Sequence, residues 1–221
     1  MYLDAVERVS TNGMPEVLSN GTKCAIEIFD QWRDWEPSAV LHHGRLCCEI
    51  AREWLIDTDY SEMNGAGALT GPRWLSRRFQ WGPCGYPIHW CEAVRRKVLD
   101  CGAHAALAQE LFTVRGVKSY RAQLIQHYSI PAASHWEDKW LESGASVQWI
   151  KDDLIYHEGC AVLVAPGEVK LWDASAGWWI DPRSSTGYGS LTALRLVAPA
   201  DSTELSWGPL RLTANEWRSI G

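Results

Sequence analysis

Three residues near the middle of the chain have the types that thiol chemistry requires: Cys101, His157 and Asp173. A thiol nucleophile needs a base to take its proton, and the base needs a partner to hold its ring. Cys101 stands at the start of DCGAHAALAQELF, where Asp100 is a good helix N-cap and Leu107, Leu111 and Phe112 set out an apolar face at helical spacing. A helix N-terminus carries positive partial charge and unpaired N–H groups, which bias a cysteine towards thiolate and can cradle an oxyanion. Asp100 opposes the thiolate unless its carboxylate turns to those same N–H groups. The helix would form as well with Ser or Ala at position 101, so its geometry alone does not ask for a thiol.

The other two residues belong to a predicted hairpin around GCAVLVAPGEVKLWDAS, with His157 just ahead of that stretch in LIYHEGCAVLV and an Ala-Pro-Gly-Glu turn near residues 165–168. His157 lies at the beginning of its first strand and Asp173 near the end of its second, both towards the open end of the hairpin. In an antiparallel pair such positions are expected to face each other or nearly so. Glu158 rivals Asp173 as the orienting acid, although its side chain should take the face opposite to His157. Each residue also has a structural reading: His157 as a hydrogen-bonded strand-edge histidine, Asp173 as the start of a turn into ASAG.

The elements that must position them follow from hydrophobic period and turn residues. SAVLHHGRLCCEIAREWLID (38–57) reads as an amphipathic helix with Leu41, Leu46, Ile50, Trp54 and Leu55 on its apolar side. SEMNGAGALTGPRW follows as a flexible connection, WGPCGYP as a further break, and Trp90 to Leu99 as a short helical piece. Gly116 is placed to end the helix that Cys101 begins. Strands are expected at SYRAQLIQHY, in the hairpin, at GWWIDP and at LTALRLVAP, with a polar loop around Trp136 and Trp140. AIEIFDQWRDW is either strand or helix, and LSWGPLRLTANEW an added strand pair. The class is α+β: helices in the N-terminal half, with an N-terminal helical part over about residues 1–75, packed on an antiparallel sheet in a single domain, 1–221.

Composition narrows the function. With 221 residues, 46% apolar and 22% charged, the chain can bury a core of its own. A net charge of -6 and a pI near 5.6 argue against a nucleic-acid partner. No apolar run approaches the roughly 20 residues that cross a bilayer, so no membrane is expected. MYLDAVERVSTNG has neither a basic start nor an apolar stretch, so no signal peptide and a cytoplasmic location are expected. The seven cysteines show no disulfide framework and should be free thiols. CGYPIHWC places Cys84, His89 and Cys91 close together, and HHGRLCC does the same for His42, His43, Cys47 and Cys48. Neither stretch has zinc-site spacing, so no metal ligand and no cofactor are assigned. Among the fourteen tryptophans, Trp136, Trp140, Trp172 and Trp178 are candidates for the wall of a substrate pocket as well as for core packing.

DCGAHAALAQELFTVRGV, YHEGCAVLV and VKLWDAS, within about residues 98–182, together resemble the core of the transglutaminase-like superfamily of papain-like thiol enzymes. The resemblance implies Cys101 as nucleophile, His157 as general base and acid, and Asp173 as the group that orients the imidazole. It departs from the family in a long Cys-to-His separation and in HEGCAV, which lacks the usual aromatic soon after the His. The family's oxyanion donor upstream of the Cys has candidates in Trp90, Trp81, Trp74 and Gln80 but no clear assignment. The reaction implied is acyl transfer through a thioester on Cys101, with a peptide, an amine or a carrier-bound acyl group as substrate. Attack by water instead would make an amidase or peptidase, and a non-catalytic binding module on the same fold is the alternative of another class. The sequence carries no indication of oligomeric state.

Overall fold

In the computed structural model, residues 20–32, 40–41, 44–84, 88–142, 150–180, 190–199 and 204–220 are described. In chain order the elements are α1 (Asn20–Trp32), β1 (Val40–Leu41), α2 (Leu46–Met63), α3 (Trp74–Arg78), β2 (Gln80–Trp81) and β3 (Ile88–His89). Next come α4 (Trp90–Arg96), β4 (Val98–Leu99), α5 (Cys101–Val114), β5 (Ser119–His127), α6 (Ile130–Glu142), β6 (Ile150–Lys151) and β7 (Leu154–Ala165). The chain ends with β8 (Glu168–Asp173), β9 (Trp178–Ile180), β10 (Ser190–Val197), β11 (Leu205–Trp207), β12 (Leu210–Leu212) and β13 (Arg218–Ser219). The class is mixed α+β, as the pattern of periods implied. The helices are not confined to the N-terminal half, however. The stretch with Trp136 and Trp140, expected as a polar loop, is α6. Ser129 precedes it and accepts the Ala133 N–H, and Pro131 falls in the first turn, where a missing N–H is harmless.

The chain falls into two compact units that interleave in sequence. One takes residues 36–121 and 158–180; the other takes 1–35, 122–157 and 181–221. In the first, α5 packs against α2 and α3 and over the β7–β8 hairpin. Leu55, Leu75, Phe79, Leu99, Leu107, Phe112, Cys160 and Trp172 form its buried core. Gly167, at φ +74°, makes the hairpin turn, and the pairs run from Leu163↔Val169 to Cys160↔Trp172. β9 adds to β8 with Trp172 opposite Trp179. In the second unit, Ala25, Ile26 and Phe29 of α1 bury against Ile125, Leu154, Tyr156 and Ala193. Arg195 there lies 4.6 Å from the centre of the Trp217 ring and donates to Gln123 and Asp30. The stretch AIEIFDQW is thus helical, and the expected C-terminal strand pair is β11 with β12.

α2 starts at Leu46, after β1, and it is rotated from the face read in the sequence. Leu46, Ile50 and Trp54 are exposed, while Cys48, Ala51, Leu55 and Asp59 are buried. The reason is polar: the Asp59 carboxylate accepts from the Trp74 indole at 2.7 Å and from Arg115 Nε at 2.7 Å. That buried ion pair turns the helix about its axis. Arg115 also donates to the carbonyls of Ala68 and Thr70, which pins the Gly-rich stretch expected to be a flexible connection. Gly71 in that stretch lies directly against the Trp172 ring, leaving no room for a Cβ. Gly71→Ala is therefore expected to cost about 1–3 kcal/mol by overpacking, read as an earlier urea midpoint with Trp fluorescence as the probe.

Candidate active site

Cys101 is the first residue of α5 and is half-buried. Asp100 caps the helix, its Oδ1 accepting the Ala103 N–H at 2.8 Å. The carboxylate is thus turned towards the helix N–H groups, the orientation in which it opposes a neighbouring thiolate least. Oδ2 accepts from Cys84 Sγ at 3.4 Å. Burial and the Asp100 charge push the Cys84 thiol up to about 12.

Two further groups fix the start of the helix, and neither was singled out from the sequence. His104 is buried, with Nδ1 3.0 Å from the Asp100 carbonyl and Nε2 3.3 Å from the Phe79 carbonyl. Burial lowers its pKa, against the pull of those carbonyls, and a neutral imidazole has one N–H to donate to the two. His104 is a brace for the residue before Cys101, not a base for its thiol. Arg121 donates from Nη1 to the Gly102 carbonyl at 2.7 Å and to Glu158 Oε2 at 2.6 Å, with both side chains almost fully buried. A Cβ added to Gly102 would lie 3.3 Å from Glu158 Oε2 and 3.4 Å from Asp100 Oδ1. Gly102 thus makes room for two carboxylates rather than for a substrate. The signal in the sequence was an Arg and a Glu at otherwise apolar strand positions, RAQLI and YHEGCAV.

Cys101 and Asp173 belong to one unit, whereas His157 is the last residue that the other unit takes from β7. The register sets Cys160 opposite Trp172, so Asp173 stands across from Gly159, two positions from His157 along the strand. The expected facing of 157 and 173 is accordingly offset by two residues. Alternation sends His157 and Glu158 to opposite faces of β7, and Glu158 takes the side under Gly102. Asp173 is buried, and its Oδ1 accepts from Ser175 N at 3.0 Å, Ser175 Oγ at 2.8 Å and Ala176 N at 3.1 Å. The turn into ASAG is thus one role that Asp173 fills.

Of the oxyanion candidates, Gln80 and Trp81 lie on β2, paired parallel to Val98 and Leu99 on the segment that leads into Cys101. Trp90 is buried at the start of α4, and Trp74 is committed to Asp59. Of the pocket candidates, Trp172 lines an open cleft of about 460 Å³ together with Gly71, Arg73 and Trp179. Trp178 is exposed; its neighbour Trp179 takes the cleft side, its ring centre 5.0 Å from that of Trp172. Trp136 and Trp140 sit one turn apart on α6 in the other unit, Trp140 buried and Trp136 partly so. His42 and His43 lie outside the described residues.

Burial raises the Cys160 thiol to about 12, the same level as Cys84. Both stay protonated at pH 8 and begin to ionise only as the pH nears 12, so a brief iodoacetamide pulse at pH 8 is expected to spare them. Peptide mapping by mass spectrometry should find Cys101 carboxamidomethylated and Cys84 and Cys160 unmodified. No family model, curated protein or solved structure matches the chain.

Proposed function

We propose that the protein is a cysteine-dependent acyltransferase of transglutaminase-like kind, with Cys101 as nucleophile. The observation that carries this reading is the half-buried Cys101 at the first position of a 14-residue helix whose capping carboxylate is turned back onto Ala103. In the proposed reaction the thiolate attacks the carbonyl carbon of an amide, ester or thioester. The carbonyl electron pair moves to oxygen, where N–H groups at the start of α5 stabilise it. The pair returns, the leaving group departs with a proton from His157, and the acyl group stays on sulfur. An amine then attacks the thioester, gives its proton to His157 and releases the thiolate. His157 as base and Asp173 as its orienting acid are assigned on sequence order. The substrate class is a peptide or a carrier-bound acyl group, and water in place of the amine would make the same chemistry an amidase.

A second reading, a non-catalytic binding module, is favoured by the divergence of His157 and Glu158 and by the commitment of Asp173 Oδ1 to its own turn. Intact-mass spectrometry of the reduced protein with a short acyl thioester separates the two. A single acyl adduct that a primary amine discharges supports transfer; one that disappears equally fast without amine supports hydrolysis; no adduct supports the binding module.

A further inference from the structure

The two Cys/His stretches that fail as metal motifs when read separately each supply part of one cluster. α2 presents Cys47 and Cys48 in its first turn, and α4, packed against α2, presents Cys91 in its own. The three sulfur atoms all lie within 4.8 Å of one another. We propose that Cys47, Cys48 and Cys91 form a three-thiolate site for a thiophilic d10 metal ion, Zn2+ or Cu+. The proposal does not depend on the reading of Cys101.

Three sulfurs and no carboxylate select soft ions over Mg2+ or Ca2+, which require oxygen ligands. A metal about 2.3 Å from each of three sulfurs in a plane requires sulfur separations of about 4.0 Å. The cluster lies within a short side-chain adjustment of that spacing. The N-terminus of the 18-residue α2 supplies positive partial charge next to two of the three thiolates. Burial is graded across the site: Cys48 is buried, Cys91 half-buried and Cys47 exposed. One side of the cluster therefore opens to solvent. Zn2+ can complete a tetrahedron there with water, and Cu+ can remain three-coordinate. Either ion would tie the start of α2 to the start of α4.

The full chain, reduced and desalted under anaerobic conditions, is titrated with Co2+ as the optical probe. One equivalent is expected to produce intense thiolate-to-cobalt charge transfer, and competition with Zn2+ and with chelator-buffered Cu+ then ranks the two ions. Cys47→Ser and Cys91→Ser are each expected to weaken binding by at least about 10- to 100-fold, the range that even outer-shell changes reach. Cys24→Ser and Cys101→Ala should leave it unchanged. Should Cys91→Ser fail to fold, the exposed Cys47→Ser decides alone, with circular dichroism as the check on folding. The proposal is overturned by absence of the band, by a band insensitive to Cys47→Ser, by its loss in Cys101→Ala, or by a disulfide within the cluster that persists under reductant. Displacement of Co2+ by neither Zn2+ nor Cu+ overturns it as well.

Discussion

Cys101→Ala is expected to lower acyl-thioester turnover by about three orders of magnitude or more, because a covalent route has no substitute for its nucleophile. The same variant should unfold at nearly the wild-type denaturant concentration. Cys101 is half-buried at the first helical position, and its loss leaves the Asp100 cap and the Arg121 anchor in place. Loss of turnover with unchanged stability is the signature of chemistry rather than of packing. His157→Ala tests the proposed base apart from the proposed nucleophile. It is expected to slow acylation and to be partly rescued by added imidazole. Asp173→Asn keeps an oxygen for the Ser175 and Ala176 N–H groups while removing the charge, so its effect reads on catalysis more than on folding. In an established triad such a change costs roughly 10^4-fold. A His157→Ala variant that retains the full rate would leave Cys101 as nucleophile and transfer the base role elsewhere. Turnover undiminished in Cys101→Ala would end the enzyme reading.

Glu158→Gln is expected to destabilise the protein by about 3–5 kcal/mol, since it leaves the buried Arg121 guanidinium without a counter-charge. Urea unfolding measures the loss. Arg121→Met should cost a similar amount, because it strands the Glu158 carboxylate and removes the donor to the Gly102 carbonyl. The double replacement Arg121→Met with Glu158→Leu is expected to recover much of that stability, as buried pairs exchanged for apolar groups commonly do. It cannot recover the hydrogen bond to Gly102. If the pair exists to hold the start of α5, the double variant regains stability yet alkylates Cys101 at a different rate from wild type. Unchanged alkylation in that stable double variant would show that the pair only maintains the fold.

Local chemistry made several elements legible. Asp100 as a cap followed by small and apolar residues marks the beginning of α5, and Ala-Pro-Gly-Glu marks the hairpin turn. Both signals act over a few residues, so no distant contact is needed to read them. The Cys101 placement was legible for the same reason. α6 was missed because its polar residues outweigh an apolar stripe that only Ala133 and Trp140 bury. The face of α2 was misread because its apolar period competes with a buried acid, and Asp59 prevails only where Arg115 and Trp74 come to meet it.

The sequence by itself determined the thiol at a capped helix start, the α+β class and the hairpin with its turn, since each follows from backbone preference and side-chain period over short spans. Only the tertiary structure decided the offset of Asp173 from His157, the Arg121–Glu158 anchor beneath Gly102 and the meeting of Cys47 and Cys48 with Cys91. A strand register of two residues or a helix rotation of part of a turn settles each of these. Such small displacements are selected by buried charges and close packing between segments far apart in the chain, which no short window of residues contains.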